Sequence, residues 1–325
     1  MEMSQELRTI FGERLKEQER MSHHTNFRIG GPAKFFVEVK SVLELKQAME
    51  IANKFHCKIF VFGGGSNTLV SDQGFDGIVI KIAMREITLN GMHVRAEAGV
   101  LMTMLARTVG DAGLSGLEWA ISLPGTVGGA VRGNAGCFGG ETKDYLIEAE
   151  VLIDGQVIKR SKEELVFGYR ESFIKHSSDI VLSATFELEQ GDAMIIKEKM
   201  NTILARRKAS QPYDAGSAGC MFKNYEIESS DELQRLETKY DLPLEMSNNR
   251  RVSVGWLIDQ LDLKGMQIGG AKISEKHGNF LMNTGAATAD DVVQLIAFVK
   301  TRARNTFGIQ LQEEVQYVGF TLPNL

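Results

Sequence analysis

The sequence predicts an α+β protein built in two parts, and three observations lead there. A strand–helix–strand run ends in Gly63-Gly64-Gly65-Ser66-Asn67, the pattern of a small α/β unit whose last strand delivers a loop of bare main-chain groups. From Gly77 to Leu188 the strands follow one another, with a hairpin among them, so this stretch reads as an antiparallel sheet with helices rather than a doubly wound nucleotide sheet. Gln211-Pro212 then breaks a long helix, and short strands mixed with helices follow.

Residues 5–19 place Leu7, Ile10, Phe11 and Leu15 at helical spacing, which predicts a short amphipathic helix. Ala33–Val39 reads as a strand entered through Gly30-Gly31. Ser41 followed by Glu44 is a capping box opening a helix to about Lys54, and Lys58–Phe62 is a short apolar strand. Strands are expected over Gly77–Ile87 and His93–Ala98, and a helix over Met102–Ala112. Leu146–Ile153, an Asp154-Gly155 turn and Gln156–Arg160 form a hairpin, and Asp179–Leu188 is a further strand. Ala193–Lys208 is a long helix turning basic at Arg206, Arg207 and Lys208, which complements its dipole. Helices around Asp231–Tyr240 and Ser253–Leu261 follow, then a strand with turns over Gly269–Asn283. A final helix spans Ala289–Phe307, and a terminal strand lies within Gln310–Leu322.

Composition narrows the class. The chain has 325 residues, 43% hydrophobic and 24% charged, with a net charge of -5. That is an ordinary globular balance with no basic block, so no nucleic-acid partner is expected. No apolar run approaches the length of about 20 residues that a membrane helix needs. The first residues, MEMSQELRTIFGERLKEQER, lack the apolar centre of a signal peptide. Cys57, Cys137 and Cys220 form neither a disulfide framework nor a paired metal motif. A cytoplasmic protein with reduced thiols and no metal is expected, and no obligate protein partner is evident.

Two stretches carry the chemistry. Leu123–Glu141, LPGTVGGAVRGNAGCFGGE, packs seven glycines into nineteen residues without an alternating apolar pattern, and is expected to present bare N–H groups. Gly63–Asn67 asks for the same explanation. The first loop does not match the dinucleotide fingerprint, because Thr68 stands where the last glycine should, and no Gly-Lys dipeptide in the chain permits a phosphate-binding P-loop. Either stretch alone is equally a glycine-rich surface loop. Together they suit a pyrophosphate held by the main chain and a planar ring lying close to the backbone, which a flavin dinucleotide supplies.

At these residues the chain resembles the UDP-N-acetylenolpyruvoylglucosamine reductase family, short type. The matching motifs are Thr25-Asn26-Phe27-Arg28-Ile29-Gly30-Gly31, VFGGGSNTLVSDQGFDG at 61–77 and LPGTVGGAVRGNAGCFGGE at 123–141. Tyr169-Arg170-x-Ser172-Phe173, GSAGCMFKN at 216–224, GGAKISEKHGNFLMN at 269–283 and Glu314-Val315-x-x-Val318-Gly319 follow in the family's order. The resemblance implies an N-terminal helix at 1–19 and a noncovalent FAD-binding module at 20–190 in two subdomains split near 80. It further implies a connecting helix at 191–208, an α+β substrate-binding domain at 209–308, and a strand at 309–325 returning to the flavin. Gly63, Gly64, Gly65, Ser66 and Asn67 would meet the pyrophosphate. Thr126, Gly128, Gly129, Gly133, Asn134 and Ala135 would line the flavin.

The resemblance also implies a reaction. NADPH would donate a hydride through FAD to UDP-N-acetylglucosamine enolpyruvate, giving UDP-N-acetylmuramate for peptidoglycan synthesis. Such chemistry needs a cation at the enolate carboxylate and an acid at the adjacent carbon. Arg170 matches the family's arginine and Glu314 its glutamate, while Cys220 stands where many members carry the proton-donating serine. Lys208, Lys223, Asn224 and His277 are the expected substrate contacts. Taken singly, Arg170 is an ordinary ion-pair arginine, Glu314 beside Glu313 a solvated strand end, and Cys220 a small buried apolar group. Their weight comes from the ordered set. The rivals are another flavin oxidase or dehydrogenase on the same module, and a non-catalytic nucleotide-sugar binder.

Overall fold

The computed structural model describes residues 2–212 and 214–321. Tyr213 and residues 322–325, including the expected end of the terminal strand at Leu322, lie outside the described residues. The chain divides into two compact units, one made of Met1–Arg20, Pro32–Gly65 and Phe75–Ala209, the other of Met21–Gly31, Ser66–Gly74 and Ser210–Leu325.

In the first unit the opening helix is shorter than its apolar spacing predicts. It spans Met3–Phe11 and buries Met3, Leu7 and Phe11. Gly12 then turns with φ 55°, a conformation that ends the helix, and Lys16–Arg20 continues as an edge strand antiparallel to Pro32–Val39. The spacing from Leu7 to Leu15 had counted residues on both sides of that turn as one face. The four-stranded sheet runs Lys16–Arg20, Pro32–Val39, Phe75–Ile82, Lys58–Phe62, with the last three parallel. Helix Val42–Lys54 crosses between two of them. Ser41 Oγ accepts the Glu44 N–H at 3.2 Å as expected, but the Glu44 carboxylate takes the Lys40 N–H at 2.7 Å and the Arg14 guanidinium, so the box closes one residue early.

A five-stranded antiparallel sheet forms the rest of this unit, ordered Gln156–Ser161, Leu146–Ile153, Ile180–Glu187, His93–Glu97, Ile87–Asn90. Its hairpin turns at Asp154 and Gly155, both left-handed at φ 46° and 77°, which suits the right-handed twist of the strands. The glycine stretch departs from expectation. Val127–Gly133 is helical, capped by Thr126, with Val127, Ala130 and Val131 buried. Those apolar residues at i, i+3 and i+4 supply packing that outweighs the poor helix propensity of its glycines. Helix Ala193–Ser210 buries Ile196, Met200, Ile203 and Arg207.

The second unit gathers distant pieces of chain. A small antiparallel sheet of Gln267–Ile268, Ala271–Ile273 and Leu281–Asn283 packs with helix Ala289–Phe307, and helices Ser230–Tyr240 and Val254–Gln260 complete the expected set. A further short helix, Leu244–Asn248, starts behind Pro243 and was not anticipated. Gln316–Val318 pairs in parallel with Thr68–Val70, so residues 66–74 join this unit although the sequence places them in the 20–190 segment. Residues 21–31 join it too, because Asn283 Nδ2 donates to the carbonyls of Phe27 and Arg28 at 3.1 and 3.3 Å. Leu69, Phe222, Leu257, Leu295 and Phe307 lie in one buried apolar core.

Candidate active site

In the first unit the two glycine stretches meet. Gly63 lies so close to Thr126 that an added Cβ would stand 2.7 Å from Thr126 Oγ1, and one on Gly64 would stand 3.3 Å from Gly125 Cα. Only glycine permits that approach at Gly63. Gly65 follows in the left-handed region at φ 65°. Thr126 Oγ1 caps the short helix by accepting the Gly129 N–H at 3.5 Å. Gly128 packs on Ala98, whose Cβ would be 3.0 Å from an added Cβ, so the chain itself accounts for it.

Gly129 and Gly133 are different. A Cβ at Gly129 would meet nothing nearer than Thr126 Oγ1 at 3.7 Å, and one at Gly133 would meet nothing within 4 Å. Glycine costs roughly 1 kcal/mol relative to alanine in a helix interior, and no neighbour in the chain explains it here. The open backbone along this helix fits a flat group lying against it. Asn134 and Ala135 are used by the protein itself. Asn134 is fully buried at φ 41°, its Nδ2 donating to Glu141 Oε2 at 2.9 Å and the Gly168 carbonyl at 2.8 Å, its Oδ1 accepting the Lys143 N–H at 3.1 Å. The Ala135 carbonyl accepts from the Thr142 N–H and hydroxyl, each at 2.9 Å.

Arg170 sits at the end of this stretch. Its backbone is left-handed at φ 57°, its Nη2 donates to the Gly136 carbonyl at 2.8 Å, and its guanidinium lies over the Tyr169 ring. Burial pushes the neighbouring Cys137 thiol up, and the positive charges of Arg207 and Arg170 oppose that shift. Arg207 is the residue that sequence reasoning missed. Expected only to complement the helix dipole, it is buried, with Nη1 donating to Ser122 Oγ at 3.4 Å. The signal was present, since Ile196, Met200, Ile203 and Arg207 continue one helical stripe and an arginine on an apolar stripe calls for a reason. Lys208 beside it is exposed.

The second unit holds the remaining candidates. Asn67 Nδ2 donates to the Glu314 carbonyl at 3.0 Å, and the Asn67 carbonyl accepts the Gln316 N–H at 3.0 Å. The Glu314 N–H donates to the Met221 carbonyl at 2.8 Å, which sets Glu314 beside the residue following Cys220. Glu313 points elsewhere, paired with Lys300 Nζ at 2.8 Å. Lys223 is held through its N–H on the Gln312 carbonyl at 2.9 Å. Asn224 and His277 converge on the start of helix Val254–Gln260. Asn224 Oδ1 accepts the Val254 N–H at 3.3 Å, and the His277 ring lies 3.2 Å from where a Gly255 Cβ would be. Burial, and then the charge of Lys264, hold the His277 imidazole below its ordinary value. Ser66, half-buried, precedes Asn67. Among the described residues no cluster of metal-ligating side chains occurs, and no helix is long and apolar enough to cross a membrane.

A curated UDP-N-acetylenolpyruvoylglucosamine reductase of Anoxybacillus flavithermus is 39% identical over 309 residues, covering 94% of this chain and 94% of the relative. The chain belongs to the UDP-N-acetylenolpyruvoylglucosamine reductase family. The reductase of a Thermotoga strain is 38% identical over 299 residues, covering 92% of this chain. The family model for the UDP-N-acetylenolpyruvoylglucosamine reductase C-terminal domain matches residues 211–318, and one for an FAD binding domain matches 33–160. The crystal structure of the UDP-N-acetylenolpyruvylglucosamine reductase from Thermus caldophilus aligns with a TM-score of 0.75 at 34% identity, over 94% of this chain and 99% of that one. FAD is thus the cofactor of this reductase family member, and the FAD-binding match includes both glycine stretches.

Proposed function

We infer that this chain is an FAD-dependent oxidoreductase that reduces UDP-N-acetylglucosamine enolpyruvate to UDP-N-acetylmuramate with NADPH. The observation that carries it is family membership across both matched domains, over 94% of the chain. The chemistry FAD supplies when bound is relay of a hydride from NADPH to the enolpyruvyl double bond. We propose that the N–H groups of Gly63, Gly64, Gly65, Ser66 and Asn67 hold the pyrophosphate, and that Thr126, Gly129 and Gly133 face the ring, while Gly128 seats the helix on Ala98. The open backbone at Gly129 and Gly133 supports that assignment. Asn134 and Ala135 then shape the site through their bonds within the chain.

The remaining roles follow from charge. Hydride reaches the terminal vinyl carbon, the double bond breaks, and the electron pair moves onto the carbon bearing the carboxylate. Arg170 stabilises that charge, because a guanidinium matches a carboxylate with two donors. Cys220 gives its proton to that carbon, and Glu314 orients the carboxylate. The engagement of Glu313 by Lys300 supports the choice of Glu314. Lys208, Lys223, Asn224 and His277 are assigned to the nucleotide end of the substrate. We place the reaction in the cytoplasm, where NADPH and nucleotide sugars are held.

The test is anaerobic mixing. The purified protein is expected to be yellow and to release intact FAD on denaturation. NADPH should bleach its absorbance, and the enolpyruvyl substrate should restore it with one equivalent of UDP-N-acetylmuramate formed. A protein that takes up no FAD, or that is bleached by NADPH and not restored by the substrate, sinks the reading.

A further inference from the structure

Cys220–Lys223 belongs to no regular strand, yet it is held on both sides. Cys220 makes an isolated antiparallel bridge to Phe280, and Phe222 makes one to Glu313. The side chain that closes this arrangement is Asn279, which is only 2% exposed. Its Oδ1 accepts the Phe222 N–H at 3.0 Å and its Nδ2 donates to the Phe222 carbonyl at 2.8 Å. Its own carbonyl accepts the Met221 N–H at 2.8 Å. The carboxamide therefore does for Phe222 what the peptide group of a neighbouring strand would do. The Met221 carbonyl passes the constraint on to the Glu314 N–H at 2.8 Å.

We propose that Asn279 is a positioning residue for the protonation step, holding the segment that carries Cys220 in its place beside Glu314. The proposal rests on the roles given above to Cys220 and Glu314. A buried carboxamide is tolerated only when both its ends are bonded. Here both bonds go to one residue, two positions beyond the proton donor. An apolar side chain of similar size would leave the Phe222 N–H and carbonyl unsatisfied and free the segment to shift. Misplacement by about 1 Å is enough to cost on the order of 10²-fold in a positioned reaction. Asn279 does not touch the reacting atoms, so its effect must run through Cys220.

The test uses the FAD-loaded enzyme and separates the two half-reactions. Asn279→Ala is expected to keep its FAD and to be reduced by NADPH within about twofold of wild type. Return of absorbance with the enolpyruvyl substrate should slow by about 10²-fold. Combining it with Cys220→Ala should cost little beyond Cys220→Ala alone, because the two changes disable one function. Asn279→Asp is a second variant that keeps the shape. Its protonated carboxyl can donate and accept as the amide does, so it should work at low pH and fail as the acid ionises. Burial moves that ionisation upward.

Wild-type reoxidation by Asn279→Ala, losses that multiply in the double variant, or a flat pH profile for Asn279→Asp per bound flavin would each overturn the placement. If the alanine variant does not fold, the Asn279→Asp profile decides alone. A wild-type enzyme that never reacts with the enolpyruvyl compound overturns the reading of the function itself, and the positioning role falls with it.

Discussion

At the scale of the residue, the thiol at Cys220 makes the sharpest predictions. A thiol, with a reference pKa of about 8.5, gives up a proton far more readily than a serine hydroxyl, but only while it remains protonated. Cys220→Ser is expected to keep substantial reoxidation, and Cys220→Ala to lose about 10²-fold or more. The wild-type rate should fall at high pH and the serine variant's should not. Single-turnover reoxidation across pH checks both, and an alanine variant as fast as wild type would remove Cys220 as the acid. Arg170→Lys keeps the charge and loses the planar fork, so it should slow reoxidation while reduction by NADPH stays near normal. Loss confined to the NADPH half-reaction would refute that role.

His277 adds a pH dependence of stability. Its folded value is depressed by burial and by the charge of Lys264, so the native state takes up the proton less readily than the unfolded chain. Above the ordinary imidazole value of about 6.5 neither state takes the proton, and the residue contributes no slope. As pH falls through that value the unfolded chain is protonated first, and stability is lost until the folded value is reached. Urea midpoints at pH 7.5 and 5.5 should therefore differ more for wild type than for His277→Gln. Equal differences would mean that burial of the ring has no thermodynamic weight.

At the scale of the element, most of the fold was legible and the glycine helix was not. Ala289–Phe307 follows its periodicity end to end, with Thr288 and Asp291 forming a reciprocal cap. Val127–Gly133 could not be anticipated, since its helicity comes from burying Val127, Ala130 and Val131 rather than from local preference. Its open glycines give a prediction with two opposite signs. Gly129→Ala should stabilise the FAD-free protein by about 0.5–1 kcal/mol, because a Cβ there meets no close neighbour. The same change should lower FAD affinity, because the methyl enters the space assigned to the ring. Urea melts of stripped protein and FAD titration measure the two effects. A variant that gains stability and binds FAD as before would show that the helix does not face the cofactor.

At the scale of the whole molecule, short contacts join segments far apart in sequence. Asp72 accepts the Ala289 N–H at 2.9 Å and the Asp290 N–H at 3.2 Å, capping the last helix from 217 residues away. Asp72→Ala should cost about 1 kcal/mol, read as a lower urea midpoint, although local sequence gives Asp72 no visible role. An unchanged midpoint would leave Thr288 as the whole cap. Candidate residues follow the same division. Asn67 and Glu314 both lie in the second unit, where Asn67 Nδ2 donates to the Glu314 carbonyl at 3.0 Å.

The sequence alone determined the α+β class, nearly all the long elements, the FAD chemistry and the reductase family. Those depend on local periodicity, turn chemistry and ordered motifs, which are written along the chain. Tertiary structure decided which segments share a unit, that a glycine-rich stretch becomes a helix, and that Arg207 and Asn279 are each buried within their own unit. These depend on what packs against each residue, and a partner hundreds of positions away leaves no mark on the local pattern.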